Sequence, residues 1–169
     1  MGLLDFLKGK QEPASAENES TVTLGAPAKG TFLPMQEIPD EVFSSGVLGK
    51  CCGVDPDEGK VYAPVDGTIT QLAETLHAVG MEADGVELLL HIGVDTVEMK
   101  GDGFESKVRL NQTVKKGELL LTMDLEKIRK ARHPASVIMA VTNSDEFSLV
   151  EEVASGIVLP ETDILKIHK

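Results

Sequence analysis

From Val86 to Val97 the chain reads Val-Glu-Leu-Leu-Leu-His-Ile-Gly-Val-Asp-Thr-Val, filled with branched and aliphatic residues and lacking a helical period. The pattern predicts a β-strand. Alternate side chains of a strand point to opposite faces, so Val86, Leu88, Leu90, Ile92 and Val94 share one face, which must be core. Glu87, Leu89, His91, Gly93 and Asp95 share the other. His91 is then the one titratable nucleophile on that second face, Gly93 leaves open space beside it, and a carboxylate follows at Asp95. Taken alone, such a histidine reads as half-buried and satisfied by a carbonyl. Its neighbours change the weighting.

The remaining pattern is one of short strands and turns from Thr21 onward. Ala26-Pro27-Ala28-Lys29-Gly30-Thr31-Phe32 recurs as Ala63-Pro64-Val65-Asp66-Gly67-Thr68-Ile69, a shared frame that predicts internal pseudo-symmetry with matching hairpins. Glycine-marked turns arrive at the spacing of a sandwich or barrel. Two short helices interrupt the strands. Asp124 caps one over Leu125 to Arg132, which Pro134 keeps from continuing; Asn143 to Glu146 caps a turn or two around Phe147, Leu149 and Val150. Val137 to Thr142, Val153 to Val158 and Ile164 to Ile167 supply further strands. The expected fold is all-β: a compact antiparallel β-sandwich or flattened barrel, with helices only as trim. Ahead of it, Met1 to Lys8 carries a short amphipathic stripe able to dock on the body or rest weakly on a lipid surface. Gln11 to Ser20 is polar and reads as a flexible linker. The expected organisation is thus a segment and linker over residues 1–20 and one domain over residues 21–169.

Composition narrows the classes. The 169 residues fit one core, and with 4% aromatics and no Trp that core must be Val, Leu, Ile and Ala. A net charge of -12 and a pI near 4.7 exclude nucleic acid as a partner, because phosphate binding needs a basic surface. No run is long enough to span a membrane, and Leu3 to Leu7 is too short for a secretory signal. The only cysteines, Cys51 and Cys52, are adjacent, which suits a reducing cytosol. A cytoplasmic protein is expected.

Of the four histidines, His133 before Pro134 and His168 at a frayed C-terminus read as capping or solvated. His77 lies in Thr75-Leu76-His77-Ala78-Val79, a strand in which Thr75 and His77 share a face. A loop from Gly80 to Gly85 returns the chain beside the Val86 strand. That sets two histidines on neighbouring strands, both off the aliphatic stripe.

With those residues in view, Leu88 to Val97 resembles the signature of the glucose-type IIA component of the bacterial phosphoenolpyruvate:sugar phosphotransferase system. Pro39 to Phe43, Ala63 to Ile69, Thr75 to Ala78, Lys100 to Phe104, Thr142-Asn143 and Gly156 are similar to the same family in the same order. The resemblance implies that His91 takes a phosphoryl group from the phosphohistidine of HPr, as tele-phosphohistidine, and passes it to a cysteine on the IIB domain of a sugar permease. It implies that His77 donates to the phosphoryl group and that Thr75 orients His77. It places Val42, Phe43, Val47, Leu48 and Val97, with Asp95, on the docking rim. Neutral imidazole is a good nucleophile at cellular pH, and phosphoryl transfer asks mainly for alignment and donors. A monomer without a cofactor is expected; no metal is required, although His77 and His91 could grip an adventitious zinc. Lys50-Cys51-Cys52, Ala73, Gly80 and Leu89 depart from the enteric pattern, which predicts a flatter docking surface.

Two other classes compete. Val97-Glu98-Met99-Lys100 is faintly similar to the Met-Lys tip of biotinyl and lipoyl carriers, whose domains are about half this length. His77, His91 and Asp95 could on paper make a zinc hydrolase, since a catalytic zinc keeps three protein ligands and an open position.

Overall fold

A computed structural model describes residues 20–169, so the expected segment over residues 1–8 and the linker short of Ser20 lie outside the described residues. Along the chain the strands are β1 (Thr21–Gly25), β2 (Gly30–Leu33), β3 (Lys50–Pro56), β4 (Lys60–Tyr62) and β5 (Gly67–Leu72). They continue as β6 (Ala78–Ala83), β7 (Val86–Ile92), β8 (Phe104–Ser106), β9 (Thr113–Val114) and β10 (Leu119–Met123). The last are β11 (Val137–Val141), β12 (Leu149–Glu152), β13 (Ile157–Val158) and β14 (Asp163–His168). Two short helices, α1 (Glu41–Ser44) and α2 (Leu125–Lys130), and three 3-10 turns complete the described residues.

The strands form an eight-stranded sheet in the order β13-β2-β3-β11-β7-β6-β5-β9 and two three-stranded sheets, β1-β14-β12 and β4-β10-β8. Every pairing is antiparallel, as the sandwich expectation requires. The two Ala-Pro repeats meet each other. Gly25 donates to the Pro64 carbonyl at 2.8 Å, and Tyr62, in the same place before the second repeat, donates to the Pro27 carbonyl at 2.8 Å. A pseudo-two-fold therefore passes between β11 and β7, exchanging β13, β2 and β3 with β9, β5 and β6 and one small sheet with the other. Register agrees: Met139 faces Leu90 at the centre, with Val137 opposite Ile92 and Val141 opposite Leu88 on either side. The unbroken stretch β4–β10 forms one half and is inserted into the other.

Residues of all three sheets form one core. Leu24, Ile69, Leu90, Leu120, Met139 and Ile164 are among its fully buried side chains, and aliphatic residues do supply the bulk that aromatics would otherwise bring. A second cluster lies on the outer face of the large sheet: Ile38, Phe43, Cys51, Val94, Ile138 and Ala140. It exists because the connection between β2 and β3 folds back over that face. Asp40 caps α1 there, accepting from the backbone N–H groups of Val42 (2.8 Å) and Phe43 (3.3 Å).

Several local expectations change. The strand from Val86 stops at Ile92, because Gly93 (φ 79°) and Asp95 (φ 61°) take left-handed backbone; Val94 thereby leaves the inner face and joins the outer cluster. Thr75 to His77 is a turn rather than strand, closed where Leu76 N–H donates to the Ala73 carbonyl (2.9 Å) and where Leu76 itself turns left-handed. β6 then runs through Gly80 to Ala83, so the return loop is only Asp84-Gly85, both at positive φ, the hairpin geometry that Asp-Gly favours. Asn143 caps no helix. Its side chain accepts from Glu87 N–H (3.0 Å) and donates to the Gly85 carbonyl (2.8 Å), leaving Leu149 and Val150 free to form β12. α2 ends at Lys130, two residues early. Val153 lies outside any strand, although its N–H donates to Ile164 O (3.0 Å). His168 is not frayed: it sits in β14 between Thr21 and Leu149, with Nε2 3.0 Å from Glu151 Oε1.

Candidate functional site

His91 is the sixth residue of β7, half-buried between neighbours that alternate with the core. Its Nδ1 lies 2.7 Å from the Gly93 carbonyl oxygen. A carbonyl only accepts, so Nδ1 carries a proton, and in the neutral imidazole the lone pair of Nε2 is then free. The carbonyl can reach back two residues only because the chain turns at Gly93. A Cβ there would collide with Thr96 Cγ2 and stand 3.1 Å from Pro134 O, so the glycine serves close packing and a left-handed turn rather than open space. The continuation is bonded on its far side too: Gly93 N–H donates to Ser136 O (2.8 Å) and Val94 N–H to Pro134 O (3.0 Å).

His77 precedes β6, and its carbonyl accepts from Ile92 N–H at 2.7 Å. The two imidazoles meet nearly edge to face, with ring centroids 5.5 Å apart and planes at 77°. Thr75 Oγ1 is hydrogen-bonded to His77 Nδ1 across the turn, so the expected pairing forms although the expected strand does not. Burial first, and then the charge of the neighbouring His91, hold the His77 imidazole below the usual histidine range.

Phe43 closes another side, its ring centroid 5.1 Å from that of His91 and tilted 55°. It is only 4% exposed, so it is a wall of the site rather than rim. The other apolar candidates are exposed: Val42 (50%) on α1, Val47 (72%) and Leu48 (39%) just after it, and Val97 (48%) in the 3-10 turn that follows Asp95. The Asp95 side chain is exposed and caps nothing in that turn. Among the described residues no three His, Cys, Asp or Glu side chains are gathered as a metal site, so the trio His77, His91 and Asp95 is not assembled for zinc. Lys100 follows the same 3-10 turn at left-handed φ (54°), whereas a carrier lysine is expected at a hairpin tip.

Cys51 and Cys52 alternate across β3, Cys51 in the outer cluster and Cys52 in the core. Both are free thiols. Burial pushes Cys51 up to about 11 and Cys52 well above its ordinary value, so neither is a nucleophile at neutral pH. His133 Nε2 lies 3.9 Å from Glu98 Oε1. The sequence reading missed α1 and Thr96. A capping Asp40 before Val42-Phe43 was the available signal for the first; nothing in Asp95-Thr96-Val97-Glu98 marked the second. No helix among the described residues is long and apolar enough to cross a membrane.

Comparison with known proteins bears on the family and the fold. Residues 22–147 match the family described as "phosphoenolpyruvate-dependent sugar phosphotransferase system, EIIA 1". The glucose-specific EIIA component of Bacillus cereus is 39% identical over 155 residues, covering 90% of this chain and 93% of that protein. A solved structure of glucose permease IIA from Mycoplasma capricolum superposes with a TM-score of 0.77 at 34% identity, covering 87% of this chain and 96% of that one. Longer relatives also match, among them the glucose-specific EIICBA component of Staphylococcus saprophyticus, 42% identical over 146 residues, 85% of this chain. The chain spans about a fifth to a quarter of the length of these longer relatives, 21% in that case. With the family matched over most of its length and relatives of its own size on the same fold, the chain belongs to the EIIA 1 family of the phosphoenolpyruvate-dependent sugar phosphotransferase system.

Proposed function

We propose that this protein is a phosphocarrier in which His91 Nε2 accepts a phosphoryl group from the phosphohistidine of HPr. It hands the group on to a cysteine of the IIB domain of a glucose-type permease. The observation that carries this reading is the 2.7 Å contact from His91 Nδ1 to the Gly93 carbonyl, which leaves Nε2 as the reactive nitrogen. The Nε2 lone pair forms the new N–P bond while the donor's N–P bond breaks, its electron pair returning to the donor ring. Each ring keeps the proton on its other nitrogen.

His77 is the second group of the mechanism. With Thr75 Oγ–H donating to Nδ1, the proton of a neutral His77 sits on Nε2, where it can donate to a phosphoryl oxygen. The lowered affinity of His77 for a second proton keeps it in that neutral form at cellular pH. Stabilising charge that develops over phosphoryl oxygens is where such catalysis gains most. Val42, Val47, Leu48 and Val97 offer apolar surface to two successive partners, and Asp95 disfavours misplaced anions. We place the carrier in the cytoplasm as a monomer formed by residues 21–169, with residues 1–20 dispensable for soluble transfer.

Incubation with phosphoenolpyruvate, enzyme I and HPr, followed by intact mass, tests this. One acid-labile phosphoryl group is expected on the wild type and none on His91→Gln. A His91→Gln protein that loads at the wild-type rate rejects the assignment.

A further inference from the structure

Thr96 is a fully buried polar residue on a chain whose other buried residues are almost all apolar. Its position follows the reactive histidine by one tight turn, and both branches of its side chain are engaged. The hydroxyl Oγ1 donates to the Ile92 carbonyl. The methyl Cγ2 packs so closely against Gly93 that no Cβ fits between them.

Consider the two peptide groups after His91. The first joins Ile92 to Gly93; its carbonyl is held by Thr96 Oγ1 and its N–H by Ser136 O at 2.8 Å. The second joins Gly93 to Val94; its N–H is held by Pro134 O at 3.0 Å and its carbonyl faces His91 Nδ1 at 2.7 Å. Three of these four bonds use backbone and the imidazole. The fourth is the only one supplied by a separate side chain, and without it the buried Ile92 carbonyl has no partner on that side. Rotation of the first peptide moves the second, because they share Gly93, which holds a positive φ and has no Cβ to restrict its backbone.

From this geometry we infer that Thr96 is a positioning residue for phosphoryl transfer: its hydroxyl latches the Ile92 carbonyl so that the Gly93 carbonyl stays on His91 Nδ1 and Nε2 stays the free nitrogen. The inference rests on the phosphocarrier reading for its consequence but not for its structural content. Loss of the latch frees the imidazole to populate its other tautomer, in which Nε2 carries the proton and cannot attack phosphorus.

Thr96→Val keeps the shape and removes the hydroxyl, whereas Thr96→Ser keeps the hydroxyl and removes the methyl. The first readout is the pair of His91 ring-nitrogen chemical shifts in the unphosphorylated full-length protein, which report the tautomer directly. The second is the rate of phosphoryl acceptance from phospho-HPr. Thr96→Val should move the His91 shifts from one tautomer toward a mixture and slow acceptance about tenfold or more, on the scale of a lost oriented contact. Thr96→Ser should keep the wild-type shifts and most of the rate. Unchanged His91 shifts in Thr96→Val would overturn the latch. If Thr96→Val fails to fold, Thr96→Ser decides alone, since a mixed tautomer there would show that the hydroxyl does not hold the carbonyl. A wild-type protein that accepts no phosphoryl group would reject the carrier reading, while the tautomer shifts would still decide the latch.

Discussion

His77 and His91 have counterparts across the pseudo-two-fold. Lys50 lies opposite Val141 on β11 as His77 lies opposite Ile92 on β7, and Ala140 occupies the place of His91. The backbone around each pair is closely alike. Gly49 and Leu76 both take positive φ before the outer strand, and Thr142 N–H donates to Glu87 O (2.9 Å) as Gly93 N–H donates to Ser136 O (2.8 Å). A 3-10 turn follows each central strand, over Ser144–Glu146 in one half and Thr96–Met99 in the other. Apart from the insertion between β3 and β11, the halves differ in the connection that leads into β3 and β6. Between β2 and β3 the chain takes a long detour through α1 that buries Ala140 and Cys51, whereas between β5 and β6 it takes a tight turn that delivers Thr75 and His77. The detour ends its reach at Phe43, against the flank of His91. One scaffold thus carries a covered face and an open one, and the two histidines sit where the cover stops.

The largest effect should come from the open half. His77→Gln should still allow loading from phospho-HPr while slowing onward transfer to IIB by about 10²-fold or more, as expected for an oriented donor lost from a transition state. Rapid-quench measurement of the two half-reactions checks this. Equal, small effects on both would reduce His77 to packing.

Moving the histidine to the covered half tests the other side of the comparison. Ala140 is fully buried beneath Ile38 and Phe43, so Ala140→His should destabilise by about 1–3 kcal/mol through overpacking. Combined with His91→Gln, it should accept no phosphoryl group. Urea unfolding and intact mass read the two outcomes, and a double variant that still gained a phosphoryl group would show that the scaffold alone suffices.

Removing the cap that anchors the detour is the next smaller step. Asp40→Ala leaves the Val42 and Phe43 N–H groups without their acceptor and should cost about 1 kcal/mol. The Phe43–His91 contact should loosen with it, visible as a change in the His91 ring-proton shifts. Unaltered stability and shifts would show that α1 is held by burial alone.

The smallest effect is a titration. With its folded value lowered, His77 is neutral in folded and unfolded chains alike above the ordinary histidine value of about 6.5. As pH falls below that, the unfolded chain binds the proton first, and stability is lost until the lowered folded midpoint is passed. His91→Gln removes the smaller of the two causes, so the His77 midpoint should rise yet stay below the ordinary value because burial remains. NMR titration checks it; a wild-type midpoint at or above the ordinary value would contradict the assigned causes.

Much of this architecture was readable in the residues. The alternation of Val86, Leu88, Leu90 and Ile92 against His91 depends on period two alone, and burial reproduces it. The Ala-Pro repeats pointed to the pseudo-two-fold because they carry its contact. What the pattern hid was backbone that leaves the pleat. Gly93, Asp95 and Leu76 turn left-handed, and alternation counted through them assigns Val94 and Thr75 to the wrong setting. Asn143 looked like a cap, but a side-chain amide can serve two strands as readily as a helix end, and only tertiary structure decides which. The resemblance placed Phe43 on the rim with Val42 and Val47, but residue type does not distinguish the exposed pair from the buried ring.

The central claim is that a free Nε2 on His91, in the half the detour leaves open, carries the phosphoryl group. It is tested most directly by the site of phosphorylation on nitrogen-15-histidine-labelled protein, read from phosphorus–nitrogen coupling after loading by phospho-HPr. The account predicts one phosphorus coupled to Nε2 of His91, with the Nδ1 proton still bonded to the Gly93 carbonyl. Coupling to Nδ1, or to His77, would contradict it.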